Sequence, residues 1–150
     1  MASSLVKILL HIVFSTRKRA PFINAELQAD LYPYMAAILR QRGVTLIALG
    51  GMPNHVHILL RMKANHRLAD LVRSTKAVSS KWVHERPEAI PEFGWQTGYA
   101  AFSVSQSKES RVRNYILNQE AHHHRATFEE ELIELLEKHQ VEYDPAYIFD

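Results

Sequence analysis

The sequence predicts an α+β fold: a ferredoxin-like antiparallel sheet in β-α-β-β-α-β order with two helices on one face, followed by two more helices. Three observations carry this. Apolar, β-branched runs of strand length at 5–14, 44–50, 54–61 and about 99–105 are interleaved with two long stretches of helical period at 25–42 and 67–84. Their order is that of a split βαβ sheet. At 150 residues and 47% hydrophobic composition, the chain suffices for one domain with a real core.

The first strand, 5–14, is apolar apart from Lys7 and His11. It is far too short to span a bilayer and lacks the basic segment, long apolar run and cleavage site of a signal peptide, so it reads as a buried strand. The helix at 25–42 follows. The strands 44–50 and 54–61 make a hairpin turning at Gly51-Met52-Pro53. After the helix at 67–84, Pro87 and Pro91 mark 85–93 as a loop before the last strand. At 108–123, Val112, Tyr115, Ile116 and Gln119 recur at offsets of three, four and seven, the signature of one helix face. A last helix at 127–138 has Thr127 as its N-cap, glutamates in its first turn, and Phe128, Leu132, Ile133, Leu135 and Leu136 at helical spacing.

No cysteine is present, which excludes disulfides, thiolate metal sites and a cysteine nucleophile. The net charge of +2 averages two unlike regions. Residues 1–125 carry 17 Lys+Arg against 8 Asp+Glu, a net +9, whereas 126–150 carry 1 against 8, a net −7. A body of +9 suits a phosphate-backbone partner. We therefore divide the chain into a basic region, 1–125, and an acidic helical extension of the same domain, 126–150. The extension reads first as an amphipathic helix packed on the domain. The sharper alternative is a helix that covers the basic surface.

Asn54-His55-Val56-His57 is the most telling motif. Side chains alternate along a strand, so His55 and His57 point to one face and can offer two imidazoles to one metal ion. On spacing alone, two packed or surface histidines remain the alternative. Tyr115 and Gln119, four apart, lie on one helix face. A phenol and a carboxamide at core positions either satisfy a buried hydrogen-bond network or build a site, and a tyrosine at such spacing is more often core. His122, His123 and His124 look like a metal tract, but imidazoles at a helix C-terminus more often complement the macrodipole. Tyr99, near Trp95, reads as a packing aromatic.

Together, the stretches 11–19, 53–60, 93–105 and 115–123 resemble, in this order, the first strand and basic segment, the histidine strand, the last strand region and the nucleophile helix of the single-tyrosine HUH transposases of insertion sequences. The resemblance spans nearly the whole chain. It implies that Tyr115 is the nucleophile, attacking single-stranded DNA to form a 5′-phosphotyrosine link and free a 3′-hydroxyl. It further implies that His55, His57 and Gln119, all neutral, hold a divalent Mg²⁺ or Mn²⁺. The substrate it implies is single-stranded DNA with subterminal hairpins. A homodimer is implied too, in which the tyrosine helix of one subunit can complete its partner's site, and the location is cytoplasmic, with the nucleoid. No membrane partner is expected. Candidate DNA-binding residues are Arg17, Lys18 and Arg19, then Asn54, Arg61 and Lys63 along the histidine strand, Arg73, Lys76 and Lys81 on the second helix, and Arg111 and Arg113 beside the tyrosine.

Three other functions compete. A domesticated relative would bind or nick repeated hairpins without mobility. A non-enzymatic single-strand binding module would use the same sheet, but the strands lack the paired exposed aromatics on which such modules stack bases. A two-histidine phosphoesterase needs a repeated His-x-Ser/Thr pair, whereas only one closely spaced His-x-His occurs.

Overall fold

In the computed structural model, residues 3–123 and 125–149 are described, and His124 lies outside the described residues. The chain runs β1 (Ile8–Ser15), α1 (Ala25–Gln41), β2 (Thr45–Met52), β3 (His55–Met62), α2 (Leu68–His84), β4 (Ala100–Val104), α3 (Glu109–Leu117), α4 (Gln119–His123) and α5 (Phe128–Lys138). The four strands form one sheet in the order β2-β3-β1-β4, every pairing antiparallel. The expected α+β, ferredoxin-like architecture is present.

Alternation along the two central strands divides the core in two. Ile12, Phe14, Val56, Ile58 and Leu60 face α1 and α2, where Leu31, Met35, Leu39, Leu71, Val72 and Val83 close the larger cluster. The opposite face carries His11, Val13, His55, His57 and Leu59. Here Leu59 and Ala48 pack against Ile116 of α3, and Val13 and Phe102 pack against Phe128, Leu132 and Leu136 of α5. The acidic extension is therefore an amphipathic helix packed on the domain, as first read. Its start is fixed by a capping box, in which Thr127 accepts from the Glu130 N–H and the Glu130 side chain reaches back to the Thr127 backbone. Among the described residues, no helix is long and apolar enough to cross a membrane.

Two local features differ from expectation. The hairpin turns at Pro53-Asn54, with β2 continuing through Gly51 and Met52, because the turn carbonyls are anchored: Ile23 N donates to Pro53 O at 2.9 Å and Thr16 N to Asn54 O at 2.9 Å. The single helix expected at 108–123 is broken at Asn118, whose backbone sits at φ −110°, ψ 30°. The Asn118 side chain donates to the Asn114 carbonyl at 2.8 Å, the local side-chain bonding by which asparagine competes with a continuing helix. The break re-aims Gln119 and the residues after it.

Candidate active site

Strand β3 supplies His55 and His57, both fully buried. Register seats His55 opposite Ser15 of β1 and Met52 of β2, and His57 opposite Val13 and Gly50. Helix α3 brings Tyr115, whose ring centroid is 5.7 Å from that of His57 in the same chain. Helix α4 brings Gln119 and His123, and α5 brings Glu131. The ligating atoms of His55, His57, His123 and Glu131 all lie within 4.8 Å of one another, a cluster that could hold a metal ion.

The hydrogen bonds behind these rings test whether a cation fits. His55 donates from Nδ1 to Asn54 Oδ1 at 2.7 Å, and His123 donates from Nδ1 to the Ala126 carbonyl at 2.7 Å. A neutral imidazole with its proton on Nδ1 presents a bare lone pair at Nε2. Yet both Nε2 atoms face oxygens. His55 Nε2 is 3.2 Å from Gln119 Oε1 and 3.3 Å from Glu131 Oε1, and His123 Nε2 is 2.9 Å and 3.2 Å from the same two atoms. Acceptors facing acceptors require a positive charge among them, either a proton on an imidazole or a metal ion. Metal-bound histidines commonly direct their other N–H at a carbonyl or carboxylate in this manner. These separations also match the edges, about 3.0–3.4 Å, of an octahedron or tetrahedron of ligands about 2.1 Å from a cation. The residues fit a divalent ion.

Electrostatics sharpen the picture. Burial and the neighbouring His57 push the His11 imidazole down to about 3, and burial pushes His57 down as well. The two therefore face each other as neutral rings across a 2.8 Å hydrogen bond between His11 Nε2 and His57 Nδ1. For Glu131, burial alone favours the neutral acid, but the close contacts with His55 and His57 and the bond from Tyr115 hold its carboxyl well below the usual range. Burial and the Glu131 charge push the Tyr115 phenol up, so its hydroxyl keeps its proton and donates to Glu131 Oε2. His122 Nε2 lies 3.4 Å from the same hydroxyl.

The structure thus joins Tyr115, His55, His57 and Gln119, and adds His11, His123 and Glu131. Two of these additions left a trace in the sequence. His123 is four residues beyond Gln119 and shares its helix face. Glu131 interrupts the apolar stripe Phe128, Leu132, Leu136 at a core position. Asn54 is placed behind His55, holding the ring.

The basic candidates divide by location. Arg17 and Lys18 are exposed beside a groove of about 650 Å³ that Trp95 and Phe149 also line. Arg19 is paired with Glu129 of α5 at 2.9 Å and lies over the Phe149 ring. Arg61 shares the face of His55 and His57 by alternation, and Arg111 and Arg113 are exposed on α3. Lys63 is exposed just past β3. Arg73, Lys76 and Lys81 ride on α2, across the sheet from the histidines. Arg73 is paired with Asp70, and Lys76 donates to the carbonyls of Gln96 at 2.9 Å, Thr97 at 3.3 Å and Gly98. Tyr99 is exposed, with the Lys76 ammonium 5.8 Å above its ring, and is not among the clustered residues.

Known proteins resemble this chain in sequence and in fold. The ISDra2 transposase TnpA of Deinococcus radiodurans is 25% identical over 114 residues, covering 73% of this chain and 81% of that protein. A crystal structure from Deinococcus radiodurans R1 described as a transposase superimposes with a TM-score of 0.63 at 26% identity, covering 79% of this chain and 95% of that one. A REP-associated tyrosine transposase bound to a REP hairpin shares the fold, with a TM-score of 0.59 at 15% identity over 77% of this chain and 68% of that one. The profile of the family described as Transposase IS200 like spans residues 4–119, from before β1 to the glutamine beside the histidines, and the chain belongs to that family.

Proposed function

We propose that this protein cleaves and rejoins single-stranded DNA at insertion-sequence ends through a covalent 5′-phosphotyrosine link on Tyr115, with Mg²⁺ or Mn²⁺ held at His55, His57 and Gln119. The carrying observation is the Tyr115 hydroxyl resting against the His55/His57 cluster within one chain. When bound, the cation supplies positive charge that polarises the scissile phosphate and eases departure of the 3′ oxygen. Tyr115 Oη attacks phosphorus, the Oη–P bond forms, and the P–O3′ bond breaks. The phenolic proton has an acceptor in place at Glu131 Oε2. One phosphodiester replaces another, so a free 3′-hydroxyl can attack the phosphotyrosine and reverse the exchange onto a new end. His11 and Asn54 hold His57 and His55 in position from behind.

For the DNA path we propose the histidine face: Arg17 and Lys18 at the groove, then Arg61, Arg111 and Arg113, with Lys63 at the edge. The hairpin bound by the REP-associated relative supports a hairpin substrate here. A homodimer stays part of the proposal, with each site assembled from its own chain, and a DNA substrate puts the protein with the nucleoid in the cytoplasm. The test is a denaturing gel of wild type and Tyr115→Phe with labelled hairpin-bearing single strands from the DNA flanking this gene, plus Mn²⁺ or Mg²⁺. A metal-dependent adduct with wild type alone is the expected result. Tight hairpin binding without any adduct would instead indicate a domesticated binder.

A further inference from the structure

Glu131 comes from a helix that lies beyond the family-matched residues 4–119, yet it sits at the centre of the cluster. Its two oxygens have separate partners. Oε1 meets three imidazole nitrogens, those of His57 at 3.0 Å, His123 at 3.2 Å and His55 at 3.3 Å. Oε2 accepts the Tyr115 hydroxyl and lies 3.4 Å from His122 Nε2. The side chain is 1% exposed, so water takes no share in balancing it. A buried carboxylate is stable only when paired or bound to a cation. Two of its three imidazole neighbours have Nδ1 engaged elsewhere, by Asn54 Oδ1 and the Ala126 carbonyl, so it is their Nε2 atoms that converge on the carboxylate.

The helix is built to hold this residue in place. Its capping box fixes the first turn, Phe128 stacks on the His55 ring at a centroid distance of 4.4 Å, and Leu132 and Leu136 are buried against β1 and β4. Glu131 is thus placed by packing on both sides of it, as a ligand must be if its position is to be independent of substrate.

We propose that Glu131 is a bridging carboxylate of this protein's metal centre, with Oε1 ligating the divalent ion beside His55, His57 and His123 while Oε2 holds the Tyr115 hydroxyl. This rests on the metal-dependent function proposed above and changes its ligand set from neutral to anionic. Glu131 becomes both a metal ligand and a positioning residue for the nucleophile. The C-terminal helix is then an integral wall of the catalytic centre, although the family-matched segment ends before it.

The test is calorimetric titration of the full-length protein with Mn²⁺ at fixed pH, without DNA. Glu131→Gln, isosteric but uncharged, should weaken Mn²⁺ binding at least tenfold, and His57→Ala should abolish it. Glu134→Gln, at an exposed neighbour on α5, should stay within about twofold of wild type. If Glu131→Gln fails to fold by circular dichroism, Glu131→Asp, which keeps the charge but withdraws the oxygens by one methylene, must show the same weakening. Glu131→Gln binding Mn²⁺ as tightly as wild type, while His57→Ala does not bind, overturns the bridging role and leaves the metal-dependent transposase intact. Wild type that binds no Mn²⁺ overturns both. Mn²⁺ binding that depends on Glu131, with no DNA adduct in the gel assay, upholds the bridge and removes the proposed reaction.

Discussion

Replacing Gly50 by alanine tests how Tyr115, the nucleophile proposed above, is positioned. Gly50 lies in β2 directly opposite His57, beneath α3. A Cβ there would fall 2.3 Å from the Ile116 carbonyl oxygen and 3.2 Å from Ile116 Cγ2. The carbonyl belongs to the helix backbone, so it cannot rotate aside as a side chain can. Restoring ordinary contact at 3.4 Å means moving α3 about 1 Å off the sheet. Overpacking of this kind costs about 1–3 kcal/mol. A domain stable by roughly 5–15 kcal/mol stays folded at that cost. Tyr115, the residue before Ile116, moves with the helix, and a displacement of about 1 Å at a reacting group can cost on the order of 10²-fold in rate. Urea denaturation and single-turnover cleavage of a labelled hairpin strand in Mn²⁺ read the two effects separately. Gly50→Ala should lose about 1–3 kcal/mol of stability and about two orders of magnitude in cleavage. Unchanged stability would refute the close seating of α3 on β2. Lost stability with full cleavage would refute the claim that this seating sets the position of Tyr115.

Phe128→Ala removes the ring stacked on His55 and should cost about 3–5 kcal/mol in urea denaturation. Thr127→Ala breaks the capping box and should cost about 1 kcal/mol by the same measurement. His11, held at about 3 in the fold against 6.5 ordinarily, is neutral when native but takes up a proton when unfolded below pH 6.5. Its contribution is therefore fully present above pH 6.5 and declines as pH falls toward 3, by up to on the order of 5 kcal/mol. In metal-free urea titrations His11→Phe should show a shallower loss between pH 7 and pH 4, and equal slopes would contradict the assignment. Finally, Arg17→Ala with Lys18→Ala should weaken hairpin binding and reduce its log–log salt slope by about 2, while Arg73→Ala with Lys81→Ala should leave both unchanged.

The regular elements were legible because their patterns are local: alternation around His55-Val56-His57 fixes a strand face, and the spacing of Phe128, Leu132 and Leu136 fixes a helix stripe. The pairing of His55 with Gln119 came from the resemblance, and the structure places these two side chains together. Less legible were features set by tertiary or side-chain competition. The break at Asn118 depends on one carboxamide bonding its own helix, which periodicity does not register. Membership of His123 and Glu131 in the site requires knowing that α4 and α5 return to one sheet face, since Glu131 is 74 residues from His57 in sequence. The α2 cations looked equivalent to those near the histidines because charge counting carries no information about which side of a sheet a helix occupies.

The position of α5 at the end of the order of elements has a consequence for synthesis. Chains emerge N-terminus first, and at about 5–20 residues per second the stretch from the end of β4 to the end of α5 takes roughly 2–7 s to translate. Throughout that interval the sheet strands have been made, but Val13, Phe102 and the buried imidazoles have no α5 to cover them. A nascent chain arrested before residue 128 should therefore be markedly more sensitive to protease than a chain that includes α5. If it resists equally, the sheet face is protected by something other than α5. The helix that shuts this face is made after all four strands, so the sheet face around the histidines is closed only once residues 128–138 have left the ribosome.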